Sequence, residues 1–247
     1  MVQLTNLIIM QVTGNNSFNE YNLSIRIFPD GFSLYITDES NSLLSSKHGK
    51  INFAELSANE LNDVLRAELE TETSFATTEI IIETDCYTVI PQSLFNADDY
   101  ASLLQFQHPT YNLNSDKLLT NEILNHKAIV LYSCSNKLYE TIMSIYKDAS
   151  IQHHLVTYLK TDYNNDCHLQ VVNRNGKLDI IAYKNNNLQL AGTYEYKTDE
   201  DFLYQLTHVS EQLQLADSTY SVVISGKQIG AALETLLSKY IRNISVN

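Results

Sequence analysis

The chain has 247 residues, 44% of them hydrophobic, enough to fill the core of one large domain or two ordinary ones, which excludes a disordered chain. Its 29 acidic and 16 basic residues give a formal net charge of -13. That field repels phosphate backbones and anionic membrane surfaces and argues against a nucleic-acid partner. No apolar run approaches the roughly 20 residues of a membrane span. Leu7-Ile8-Ile9-Met10 lacks the basic flank and the length of a signal peptide, so a cytoplasmic protein is expected. Its three scattered cysteines, Cys86, Cys134 and Cys167, then read as reduced core residues.

Tyr21, Leu23, Ile25 and Ile27 alternate with polar residues, the period-two pattern of a half-buried strand. The turn Pro29-Asp30-Gly31 follows, and Phe32, Leu34 and Ile36 resume the alternation, so residues 21–38 predict a hairpin with a third strand around Leu43 to Phe53. Ser57-Ala58-Asn59-Glu60 is a capping box, and Leu61, Val64, Leu65 and Leu69 follow at helical spacing. Thr78 to Glu83 and Tyr87 to Pro91 read as extended, and Asn96 with Asp98 and Asp99 opens a helix near Ala97 to Phe106. The first half thus reads βββαβ(β)α. A strand pair at Leu118–Leu124 and Ala128–Ser133, a helix at Lys137–Lys147 and a helical segment ending near Lys160 come next, with polar Asp162 to Asp166 as the linker.

The second half repeats the plan. Leu169, Val171 and Val172 turn at Asn173-Arg174-Asn175-Gly176 into Leu178, Ile180 and Ile181, a third strand spans Leu188–Tyr194, and Thr198 to Asp201 starts a helix carrying Phe202, Leu206, Val209 and Leu213 on one face. Tyr220 to Ser225 is a short buried strand, and Ile229, Ala232, Leu233, Leu236, Leu237 and Tyr240 form an amphipathic stripe, with Ile244 and Val246 adding a final strand. The expected halves are residues 1–160 and 161–247, each of βββαβα order with a mixed sheet.

A duplicated unit of three antiparallel strands, helix, strand, helix resembles the actin, sugar-kinase and heat-shock chaperone superfamily, whose halves are ribonuclease-H-like. The phrases Leu23-Ser24-Ile25 to Asp30-Gly31-Phe32-Ser33, Tyr87-Thr88-Val89-Ile90-Pro91 to Leu94-Phe95, and Ile151-Gln152-His153-His154 are similar to a family of uncharacterised bacterial proteins with an actin-like ATPase fold. That resemblance implies a duplicated α/β fold in which one hairpin turn per half wraps phosphates with backbone amides, while an Asp in each turn region manages metal and water. Here the first turn offers bulky Phe28 and amide-less Pro29, with Arg26 where the resemblance places an Asp. In the second, Asn173 falls where the other Asp would lie, and an amide supplies neither a carboxylate base nor a metal ligand. Ile224-Ser225-Gly226-Lys227 keeps one glycine where the superfamily contacts adenosine. Neither GxGxxG nor a Walker motif is present.

The remaining constellations are weaker. Asp162-Tyr163-Asn164-Asn165-Asp166 imitates the start of a calcium loop, but Cys167 stands where Gly is needed. His153-His154, read as adjacent helix residues pointing about 100° apart, suits a structural role better than metal ligation. The leading expectation is a non-catalytic actin-like module that binds an as yet undefined protein, with no cofactor. Its alternative is a divergent ATPase or phosphotransferase using ATP and magnesium in a cleft between the halves, with Asp30, Ser33, Asn173 and Gly226 nearest the phosphates. A basic spot at Arg26, Arg174 and Lys177 would favour an acidic peptide or small anion as ligand.

Overall fold

Leu23, Ile25 and Ile27 are buried and their neighbours in sequence are half-buried, so Asn22–Phe28 forms strand β1 with one face on a core. The structure, a computed structural model, describes residues 21–53, 55–69, 75–110, 115–161, 167–215 and 220–246. Leu7–Met10 and the linker and calcium-loop segment Asp162–Asp166 lie outside these. Strand β2 (Gly31–Thr37) returns antiparallel, setting Leu34 opposite Ile25 and Phe32 opposite Ile27, and β3 (Leu43–Lys50) lies antiparallel to β2. Helix α1 (Ala58–Leu69) starts at the expected box: Glu60 N donates to Ser57 Oγ at 3.3 Å and Ser57 N to Glu60 Oε2 at 2.8 Å. Strand β4 (Thr77–Ile82) then runs parallel to β1.

Next come β5 (Tyr87–Pro91), α2 (Tyr100–Gln107), β6 (Asp116–Ile123), β7 (Ala128–Ser135) and α3 (Asn136–Ile145), followed by β8 (Ser150–His153) and the single turn α4 (Val156–Leu159). The large sheet has the order β3-β2-β1-β4-β8, and β5, β7 and β6 form a separate three-stranded sheet. The second set is β9 (Cys167–Arg174), β10 (Lys177–Lys184), β11 (Asn187–Glu195), α5 (Asp199–Gln212), β12 (Ser221–Gly226), α6 (Ala231–Tyr240) and β13 (Ile244–Val246), with sheet order β11-β10-β9-β12-β13. The chain divides into two compact units, one running to Glu122 and including Ile129–Val156, the other containing Ile123–Ala128 and everything from Thr157.

Each unit therefore carries the strand order 3-2-1-4-5, the first three strands antiparallel and the fourth and fifth parallel. The repeat differs in one respect from the order βββαβ(β)α expected of the first half. Helix α2 does not close that half, because its buried Leu104 packs with Ile90 and Leu131 of the small sheet. The counterpart of α6 is α3, which stands between the fourth and fifth strands and packs on α1 as α6 packs on α5. The stretch Glu83 to Ser135 is thus an insertion into the first repeat. A second correction concerns Ile151 to His154. The expected helical segment ending near Lys160 is helical only at Val156–Leu159, and Ile151 and His153 belong to strand β8, where they pair with Ile80 and Ile82 along the open edge of β4.

In the second unit, Leu169, Val171, Leu178 and Ile180 pack against Phe202, Leu206 and Val209 of α5 and Leu233 and Leu237 of α6. Full burial of each such side chain is worth about 1.5–3 kcal/mol, which makes this stripe the main source of the unit's cohesion. The hydroxyl of Thr198 accepts from Asp201 N, and the Asp201 carboxylate accepts from Thr198 N, fixing the start of α5.

Candidate functional site

The positions at which the resemblance puts phosphate contacts are hairpin ends, so their chemistry depends on which backbone and side-chain groups remain open there. In the first unit the β1–β2 turn carries Asp30, exposed, while its carbonyl accepts from Ile51 N at 3.0 Å. A Cβ on Gly31 would run into the Gly49 carbonyl, so β3 closes directly over the turn. Ser33 is buried on β2, its Oγ 2.8 Å from His48 Nδ1. Opposite Ser33 stands Arg26, whose guanidinium meets the Glu83 carboxylate at 3.2 Å. Asp30 and Ser33 therefore share a hairpin, the first wet and the second engaged across the sheet.

In the second unit Asn173 and Gly226 come together as paired residues at the ends of the parallel strands β9 and β12. Asn173 is buried and its amide is used at both ends: Nδ2 donates to the Lys227 carbonyl at 2.7 Å, and Oδ1 accepts from the Tyr196 hydroxyl at 2.7 Å. Burial lifts the Tyr196 hydroxyl above the ordinary tyrosine range, which keeps its proton available for this bond. The Asn173 carbonyl also accepts from Lys227 N at 2.8 Å. Gly226 adopts φ 91°, and a Cβ there would lie 2.5 Å from the Asn173 carbonyl oxygen, so glycine is required for the close approach of the two strand ends.

Around the β9–β10 turn, the fully buried Asp179 accepts from Arg174 Nε at 2.6 Å and Nη2 at 2.7 Å, and from Thr193 Oγ1 at 2.7 Å. A bidentate pair of this kind neutralises both charges. Lys227 Nζ donates to Asn175 Oδ1 at 3.1 Å. The basic spot expected from Arg26 and Arg174 is thus matched by Glu83 and Asp179. Sequence reading missed Asp179, Thr193 and Tyr196. One signal was available: in the hairpin register Asp179 faces Val172, which makes Arg174 its diagonal neighbour.

His153 and His154 are both buried. His153 Nε2 donates to the Thr84 carbonyl at 3.0 Å, and its ring lies 4.6 Å from Tyr87 and 5.2 Å from Tyr132. Packing of this kind gives the pair a structural part. Among the described residues no three His, Cys, Asp or Glu side chains are grouped to hold a metal ion, and no helix is long and apolar enough to cross a membrane.

Two repeats of the order 3-2-1-4-5, the first three strands antiparallel and the fourth and fifth parallel, define a duplicated ribonuclease-H-like architecture, the actin-like ATPase fold. The chain belongs to the family described as protein of unknown function (DUF3822), which matches residues 13–244. It is similar to a Bacteroides thetaiotaomicron protein with actin-like ATPase fold and unknown function, with 22% identity and a TM-score of 0.78 over 93% of this chain and 91% of that one. It also resembles the PilM-PilN type IV pilus biogenesis complex, with 8% identity and a TM-score of 0.54 over 92% and 88% of the two chains. A third likeness is the cytoplasmic domain of EpsL, an inner membrane component of the type II secretion system of Vibrio cholerae, with 6% identity and a TM-score of 0.49 over 89% and 94%. No curated protein matches the chain.

Proposed function

We propose that this chain is a non-catalytic actin-like module that works by binding another protein and uses no nucleotide cofactor. One observation carries the reading. Where the resemblance places an acid that manages metal and water, Asn173 has its amide committed to Lys227 and Tyr196. An amide carries no negative charge to hold a metal ion or take a proton from water, and this one is buried and held at both ends by neutral partners. At the other hairpin, Pro29 brings no amide and Gly31 is closed off by Gly49. The PilM-PilN structure supports the second half of the proposal, because it presents a chain of this fold together with a protein partner.

Thermal shift with ATP, ADP and magnesium tests the proposal. A ligand at 100 times its dissociation constant adds about 2.7 kcal/mol to stability, which at roughly 2–4 °C per kcal/mol for a chain of this size raises Tm by about 5–11 °C. No shift is expected for either nucleotide, and ATP turnover should equal that of the Asn173→Ala variant. A saturable shift, or magnesium-dependent turnover lost in that variant, would restore the divergent ATPase or phosphotransferase reading.

A further inference from the structure

A helix on the surface of a globular unit normally hides one apolar stripe and wets the rest. Helix α2 does otherwise. Its inner face is satisfied, with Leu104 fully buried and the Tyr100 ring 4.5 Å from Phe95. Its outer face carries Leu103, 38% exposed, and Phe106, 92% exposed, three residues apart and therefore on one stripe. Leu94, on the short turn leading toward the helix, is 72% exposed. A single exposed leucine is ordinary, but an eight-residue helix with apolar residues inside and outside is not. Moreover, α2 belongs to the insertion, which the second repeat lacks while keeping the same sheet order.

Charge indicates what covers this face. The sequence has no lysine or arginine between Arg66 and Lys117. Asp98 and Asp99, exposed just ahead of α2, put two carboxylates beside the apolar stripe, and among the described residues Asp99 Oδ2 accepts from a neutral donor, Asn96 Nδ2 at 3.0 Å. We propose that the outer face of α2 docks a basic amphipathic segment of a partner protein, its apolar side chains on Leu103 and Phe106 and its Lys or Arg residues toward Asp98 and Asp99. This rests on the protein-binding reading above and gives the partner a chemistry. A second copy of the chain fits poorly, because two molecules of charge -13 would bring the same acidic, lysine-free stretch against itself.

The test uses the full chain and two short helical peptides, one of leucine and lysine and one with glutamate in place of lysine, read by fluorescence anisotropy. The leucine–lysine peptide should bind, and binding should weaken at least about tenfold, which is about 1.4 kcal/mol, in the Leu103→Ser/Phe106→Ser variant. The Asp98→Asn/Asp99→Asn variant should lose part of the salt dependence, a readout that survives any effect of the serine changes on folding. Equal binding by wild type and both variants, or equal binding of the glutamate peptide, overturns the proposal. So does a dimer in sedimentation that Phe106→Ser dissolves, which would assign the face to a second copy. Peptide failure in a chain that still ignores ATP removes this surface alone. A chain that takes the peptide but also binds ATP instead removes the non-catalytic reading.

Discussion

Replacing Asn173 by Asp supplies the acid that the resemblance leads one to expect, and the surroundings of Asn173 say what it would cost. The aspartate keeps the bond from the Tyr196 hydroxyl but sets an oxygen, not an NH2, against the Lys227 carbonyl 2.7 Å away. One hydrogen bond is lost with its acceptor left buried, about 1–3 kcal/mol, or a fall in Tm of roughly 2–12 °C. The new carboxyl is also buried and faces an acceptor, and both effects raise its folded pKa above the unfolded value of about 3.9. A raised folded pKa means stability that is complete below the unfolded pKa and lost as the pH rises through the folded one. The variant should therefore lie closest to wild type in acid and furthest below it near neutrality. Urea titrations of both proteins across that range measure the gap. A variant as stable as wild type at pH 7, or one whose deficit grows in acid, would refute the argument that Asn173 is a structural amide held at both ends.

Arg174→Met takes the bidentate cation away from the buried Asp179 carboxylate, which keeps the Thr193 hydroxyl, and should cost about 3–5 kcal/mol, measured by urea unfolding; a loss under about 1 kcal/mol would mean the pair is solvated in solution. Gly226→Ala combines a positive φ with a Cβ 2.5 Å from the Asn173 carbonyl and should cost roughly 1–3 kcal/mol in the same assay, with accelerated amide exchange at Lys227. Burial pushes the Cys134 thiol up to about 12. Native Cys134 should resist iodoacetamide at pH 8 while the unfolded chain reacts. Its contribution to stability should be lost as the pH rises from about 9 through about 12, so that Cys134→Ala flattens this part of the alkaline profile.

Local chemistry made much of this fold legible. Strand alternation at Leu23, Ile25 and Ile27, the Asn175-Gly176 turn, and the boxes at Ser57 and Thr198 each act over a few residues, and each appears in the structure. What escaped was non-local. Strand β8 has four residues of mixed polarity and exists because β4 offers it an unpaired parallel edge, a condition that no window around His153 contains. Helix α2 carries the helical pattern of the helix that closes a repeat, and only the packing of Leu104 on the small sheet shows that it serves the insertion. At the candidate site the residue types at Asn173 and Gly226 were readable, but the bonds from Tyr196 and to Lys227 join residues 23 and 54 positions away in sequence.

The two ends of the insertion are fastened to each other: Ser133 N, near its exit, donates to the Cys86 carbonyl, near its start, at 3.0 Å, and β5 and β7 are sheet neighbours. A segment that leaves and returns at one place can be lengthened, shortened or exchanged without moving the strands it interrupts, because the closure it imposes on the host is that of a short loop and grows only slowly with its own length. Change in the length of this stretch is therefore decoupled from closure of the 3-2-1-4-5 sheet, save at the residues that hold β8, such as Asn121, which bonds the backbone of Ile151 and His153. Relatives of this chain can be expected to differ most here, each carrying a different plug in the same socket.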